Sequence, residues 1–223
     1  MTEWYQAVLK KAKEEAAKNP TVIKVDSDRY LTSGEISLAK LIYKNSIDYE
    51  KVRIINGGLL GIPNRSNNAM APYGNIHFPT KHYEKIKDFS KSTSSNKIWF
   101  IHEIAHVWQY RLGLSVALRG IDIGLRGGYY KAKAYGYDLI CDDQYLEFNQ
   151  FNFEQQAEII SHYFDAFYLP EKGHNDLDLH NKNLKQKFAL QKVLSVFIKN
   201  PLDKNLISKN HGKLYYGKEP IQY

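Results

Sequence analysis

His102 and His106 stand four residues apart in Trp99-Phe100-Ile101-His102-Glu103-Ile104-Ala105-His106-Val107-Trp108-Gln109, with Glu103 between them. On a helix, residues four apart share a face, so the two imidazoles project together at a spacing that suits one metal ion. A zinc ion held by two His and one further ligand keeps a position for water, and a nearby carboxylate can take that water's proton as it attacks a carbonyl. The pattern points to metal-assisted hydrolysis. The bland alternative is an amphipathic helix carrying two surface His and a solvated Glu. Against it, Ile98, Trp99, Phe100, Ile101, Ile104, Ala105, Val107 and Trp108 make the segment apolar nearly all round, as in a buried helix. Buried polar groups need partners, and a metal supplies one to each His.

Catalytic zinc takes three protein ligands. A His six residues after His106 is absent, since Leu112 stands there, and this removes the metzincin pattern. The other solution is an acid on a second helix. Asn152 is a natural N-cap for a helix running to Tyr168, where Leu169-Pro170 stops it. Glu154 and Glu158 lie four apart on one face of that apolar helix. One can bind zinc while the other accepts a hydrogen bond from a ligand His and fixes its ring. Gln155 and Gln156 suggest a helix start opening toward a cleft, which favours Glu154 as the ligand and Glu158 behind it; the reverse assignment stays open. His162, one turn on, is a candidate to stabilise the transition state at the substrate carbonyl, with Tyr135, Tyr137 and Tyr163 as weaker candidates.

Other elements must hold these two helices. Glu3 to Lys18 reads as a helix stopped by Asn19-Pro20. Thr32 and Glu35 form a capping box for a helix carrying Ile36, Leu38, Ala39, Leu41 and Ile42. Asp48 to Ile55 reads as a strand turned by Asn56-Gly57-Gly58, a loop follows from Leu59 to Ala71, and Pro72 to Pro79 reads as an edge strand able to accept an extended peptide. Ser94 or Ser95 caps the His-bearing helix and Gly113 ends it. The Gly- and Tyr-rich stretch from Leu114 to Tyr137 forms a cleft wall, and a last long helix from Asn181 to Lys199 buries Leu184, Phe188, Leu190, Val193, Leu194 and Phe197. The fold class expected is α+β: a mainly helical, zincin-like domain with a small, mostly antiparallel sheet. One domain spans 1–223, with a helical arm at 1–30, a catalytic core at 31–170, and a C-terminal helix and tail at 171–223.

Composition narrows the class. Hydrophobic residues at 43% and charged residues at 25% are ordinary for a soluble globular protein. No apolar run approaches a membrane span, and residues 1–18 lack the apolar stretch of a secretory signal, so synthesis in the cytoplasm is expected. The lone Cys141 excludes an intramolecular disulfide and a thiolate zinc site. A net charge of +7 favours an anionic partner, yet the Lys are dispersed and nucleic acid is not favoured.

Phe100 to Gln109, Phe153 to Ala157, and the earlier Leu31-Thr32-Ser33-Gly34-Glu35-Ile36 and Ile47-Asp48-Tyr49 resemble the metallopeptidase domains attached to VgrG-type spike proteins and other effectors of the bacterial type VI secretion system. The similarity spans about Leu31 to Leu169. It implies a gluzincin-like site with His102, His106 and Glu154 on zinc and Glu103 as general base. It also implies an antibacterial toxin injected into a target cell's periplasm, a peptide or peptidoglycan-peptide substrate, a cognate immunity protein, and a spike as loading partner. Two other readings compete: a non-catalytic module binding envelope or nucleic acid through a structural metal site, and an intracellular housekeeping metallopeptidase.

Overall fold

The computed structural model of the chain describes residues 28–57, 68–208 and 214. The helix expected at Glu3–Lys18, most of the 59–71 loop and most of the tail lie outside the described residues.

A three-stranded sheet lies beside a helical body. Strand β1 (Asp28–Tyr30) pairs antiparallel with β2 (Arg53–Asn56), and β2 pairs parallel with β3 (Ile76–Phe78). The sheet is therefore mixed rather than mostly antiparallel; a hairpin turn cannot make a parallel pair, and the long connection between β2 and β3 can. His77 exchanges backbone hydrogen bonds with Met70 at 2.8 and 3.0 Å. The outer edge of β3, expected to be open to a peptide, is thus taken by the chain itself at that point.

Helix α1 (Ser33–Tyr43) starts on the expected capping box: Thr32 accepts from the Glu35 amide, and Glu35 accepts from the Thr32 amide. Glu35 is fully buried, and its carboxylate also takes two hydrogen bonds from Arg29 at 2.7 and 2.8 Å and one from the Phe89 amide at 2.9 Å. One acid side chain thereby ties β1, α1 and the 89–91 turn together. A short helix α2 (Thr80–Lys85) follows β3.

Helix α3 (Ser94–Arg111) is capped by Thr93, one residue before the expected Ser, and gives way at Leu112 to Gly113, whose φ of +103° a side chain would strain. It is buried at Ile98 and continuously from Phe100 to Gln109. Phe78, Phe89 and Phe100 stack in series from the sheet into the helix, with centroids 4.5 and 5.4 Å apart. On the far side the Trp108 indole donates to the Pro201 carbonyl at 2.7 Å and meets Phe197 edge-on. Helix α4 (Val116–Leu125) sends Val116 and Ile123 against Leu114, Ala134, Phe153 and Leu214 to form a small satellite core beside the main one.

Helix α5 (Phe153–Tyr168) begins at Asn152, whose side chain and that of Gln155 satisfy each other's amides, and it ends before Pro170. It is buried from Phe153 to Ala166 and forms the principal helix pair with α3. The C-terminal part is three short helices, α6 (Leu177–Lys185), α7 (Lys187–Val193) and α8 (Ser195–Lys199), in place of one long one. The breaks at Gln186 and Leu194 rotate the faces. Leu190, Leu194 and Phe197 enter the core as expected, whereas Phe188 is 85% exposed and Leu184 also faces solvent. These helices complete the same core as residues 31–170.

Candidate metal centre

Where α3 and α5 cross, three side chains converge. His102 Nε2 lies 3.2 Å from His106 Nε2, and Glu154 Oε2 lies 3.3 and 3.1 Å from them. All three residues are buried. With zinc–ligand bonds of about 2.0–2.1 Å, the edge of a tetrahedral site is about 3.3 Å, so the three atoms already sit at the corners of one face.

The hydrogen bonds behind the cluster decide what those atoms carry. Gln156 Nε2 donates to the carbonyls of Phe148 and Leu206, which leaves Gln156 Oε1 to accept from Gln109 Nε2 at 3.0 Å. Gln109 Nε2 also donates to the Phe153 carbonyl, so Gln109 Oε1 is the atom 2.9 Å from His106 Nδ1. That nitrogen must hold the proton, and Nε2 presents a lone pair. On His102, the Glu158 carboxylate lies 3.6 Å from Nδ1, beyond hydrogen-bond reach, and its negative charge favours a proton on that nitrogen. Two imidazole lone pairs and a carboxylate oxygen thus point at one place, an arrangement that only a cation relieves. The donor set fits zinc.

Without metal, the cation is a proton. Burial pulls the His102 imidazole down, but the Glu154 hydrogen bond and the charges of Glu158, Glu103 and Glu154 outweigh it and push the pKa up to about 9. Burial would raise Glu154, yet His106 and His102 hold its carboxyl well below the usual range. The Tyr129 hydroxyl donates to the other Glu154 oxygen at 2.9 Å.

Glu103 lies beside the three and is 3% exposed. The Trp99 side chain, one turn earlier, hydrogen-bonds to it. Glu103 Oε2 is buried with no partner. Burial pushes the carboxyl up, opposed by His102 and His106.

No family model matches the chain. Over 146 residues, 62% of its length, it is 33% identical to the type VI secretion system spike protein VgrG2b of Pseudomonas aeruginosa, of which the match covers 13%. A solved structure, the effector domain of that VgrG2b, aligns with a TM-score of 0.57 and 27% identity over 85% of this chain and 94% of that one. The chain is similar to a type VI secretion effector domain. The likeness covers the effector domain almost entirely and only a small part of the spike protein.

Within this VgrG2b-like fold a second buried group, Asp165, His174 and His180, also has metal-ligand chemistry. Its hydrogen bonds argue otherwise. The Asp176 amide donates to His174 Nδ1 at 3.0 Å, so His174 Nε2 carries the proton and donates to Asp165 Oδ1 at 2.9 Å. His180 Nδ1 faces the same oxygen at 3.0 Å, and Asn183 donates to Asp165 Oδ2 at 2.8 Å. Protons already fill this cluster, which clasps α6 and the preceding turn against α5.

The remaining candidates separate. Glu158 is buried between His102 and His162, whose Nε2 lies 3.1 Å from it. Burial would raise the Glu158 carboxyl, but the His162 hydrogen bond and neighbouring imidazoles draw it down. His162 Nδ1 meets the Tyr137 hydroxyl. Tyr135 packs 6.0 Å from the His102 ring, and Tyr163 packs against Phe167 and Tyr168 instead. Cys141 is exposed. Gln109, Tyr129, His174 and His180 were not anticipated as part of any cluster. Gln109 carried a usable signal, a polar side chain one turn after His106 on an apolar helix; Tyr129 sits in a Gly-rich stretch without periodicity.

Proposed function

We propose that the chain is a zinc-dependent metallopeptidase acting as an antibacterial type VI secretion effector that hydrolyses peptide bonds in the target cell's periplasm. The observation that carries this reading is the convergence of three lone pairs at tetrahedral spacing beside the buried, unpartnered Oε2 of Glu103. A merely structural metal site has no use for that second acid. The intracellular housekeeping alternative shares this chemistry and differs in location.

His102, His106 and Glu154 would hold the ion. Zinc there would polarise a carbonyl and lower the pKa of a bound water. Glu103 takes the attacking water's proton at Oε2 and delivers it to the leaving amine, while Trp99 holds the carboxylate in place. Its buried setting raises its proton affinity toward the working range of a general base. Gln109 and Glu158 keep the two imidazoles turned with Nε2 inward, and Tyr129 steadies Glu154. Tyr135, whose ring lies 6.0 Å from that of His102, stays protonated because burial and nearby carboxylates push its pKa far up, and it is the candidate donor for the carbonyl oxygen in the transition state. His162, expected in that role from sequence, instead supports Glu158.

A peptide, including a peptidoglycan stem peptide, is the substrate class; an immunity protein and a spike are the proposed partners. No helix among the described residues is long and apolar enough to cross a membrane. The test is Glu103→Gln expressed with and without a periplasmic leader. Zinc content should stay at one per chain while toxicity, confined to the periplasmic form, falls with a rate loss of about 100-fold or more. A variant as toxic as the parent would refute the peptidase reading, and toxicity confined to the cytoplasm would refute the location.

A further inference from the structure

Along α5, Glu154, Glu158, His162 and Asp165 follow one another at intervals of four, four and three residues, all on a helix with no exposed face there. Polar groups so placed must satisfy one another. The directions of their hydrogen bonds can be read from one end. Asp165 only accepts, so Asn183 turns its amide nitrogen to it at 2.8 Å and its oxygen to Gln186, whose Nε2 donates at 3.2 Å. The same Gln186 nitrogen donates to the Tyr137 oxygen at 3.4 Å. Burial, reinforced by Glu158, keeps the Tyr137 phenol protonated, so its hydrogen goes to His162 Nδ1 at 2.5 Å. His162 Nε2 then bears the proton facing Glu158 Oε2 at 3.1 Å, and Glu158 Oε1 stands 3.6 Å from His102 Nδ1, an ion-pair distance at which its charge favours a proton on that nitrogen. At the end of the series stands His102, whose Nε2 faces the metal site.

We propose that this buried relay, Asn183 to Gln186 to Tyr137 to His162 to Glu158, fixes the tautomer and orientation of His102. Tyr137, His162 and Gln186 are its positioning residues. The proposal rests on the metal-site reading above and extends it. It ties zinc affinity to α6 and to the Gln186 break that follows it, well removed from the three ligands. If Tyr137 gives no hydrogen, the donor that makes His162 Nδ1 an acceptor is lost and the ring can turn a lone pair onto Glu158, which loosens the acceptor behind His102.

The test is zinc affinity of the full chain, measured by competition with a chromogenic chelator, with cobalt absorption as a second readout of ligand geometry. Tyr137→Phe should fold and bind zinc about 10-fold or more weakly, with a shifted cobalt spectrum. Tyr145→Phe, at an exposed position, should match the parent. His162→Gln supplies an amide N–H toward Glu158 without needing Tyr137, so adding Tyr137→Phe to it should cost no further affinity. A parent chain that binds no zinc defeats the metal-site reading. A parent that binds, with Tyr137→Phe equal to it within twofold, overturns the relay alone. An equal loss from Tyr137→Phe in both backgrounds also overturns it, since the effect would then bypass His162. Should Tyr137→Phe fail to fold, the imidazole nitrogen chemical shifts of the parent decide: His162 protonated at Nε2 and bare at Nδ1 supports the relay, and the reverse overturns it.

Discussion

Replacing Gln109 by Met keeps the side-chain volume of a fully buried residue and deletes every polar atom it offers. Three contacts vanish: those to His106 Nδ1, the Phe153 carbonyl and Gln156 Oε1. The Phe153 carbonyl opens a helix and has an intrahelical partner available, so two orphans remain, the Nδ1 proton and the amide oxygen. At about 1–3 kcal/mol per buried unsatisfied group, the loss is about 2–6 kcal/mol, within reach of an ordinary domain's whole stability. For a domain of this size that corresponds to a fall in Tm of about 5–20 °C. A freed His106 ring should also weaken zinc binding about 10–100-fold. Gln109→Glu separates the effects: it keeps an acceptor for His106 and sets an oxygen against Phe153 and Gln156, so stability falls while zinc affinity holds. Thermal melts of metal-free protein and chelator competition measure the two quantities. If Gln109→Met melts and binds like the parent, the tautomer argument at His106 is wrong.

Further outcomes follow from the same geometry. His102 is raised from an ordinary 6.5 to about 9 in the metal-free fold, so it contributes stability that is complete below pH 6.5 and is lost as pH climbs through 9. Metal-free protein should therefore melt lower at pH 9.5 than at pH 6.5. Zinc should reverse that trend, because binding expels the proton, and calorimetry in buffers of different ionisation enthalpy should count about one proton released near neutrality. Tyr129→Phe removes the donor on Glu154 Oε1 and should weaken zinc binding about 10-fold, read by chelator competition. Asp165→Asn forces an amide nitrogen against N–H donors whichever way it turns, and should cost about 3–5 kcal/mol in urea titration with the ligand residues intact.

The parts of this centre that lay open to sequence reasoning obey a helical period. His102 and His106 on α3, and Glu154 and Glu158 on α5, are pairs whose spacing alone puts them on a common face, and the Thr32 and Asn152 caps announce their helices. What escaped depends on contacts remote in the chain. Asp165 finds His174 and His180 only because a turn folds back on α5, so two imidazoles are buried within a stretch that is otherwise largely exposed. The breaks at Gln186 and Leu194 occur without Pro or Gly, so no residue type in the sequence marks them. Met70 closes the edge of β3 through backbone bonds that no side-chain pattern encodes.

Trp108 is fully buried on the helix that bears His102 and His106, and its indole N–H is received by Pro201 while Phe197 covers its ring. During synthesis the ribosome therefore releases the helix long before it releases the residues that shelter its rear. A nascent chain halted near residue 190 would hold both imidazoles yet leave that tryptophan wet, so the rear of the candidate metal centre closes only after Phe197 and Pro201 have emerged.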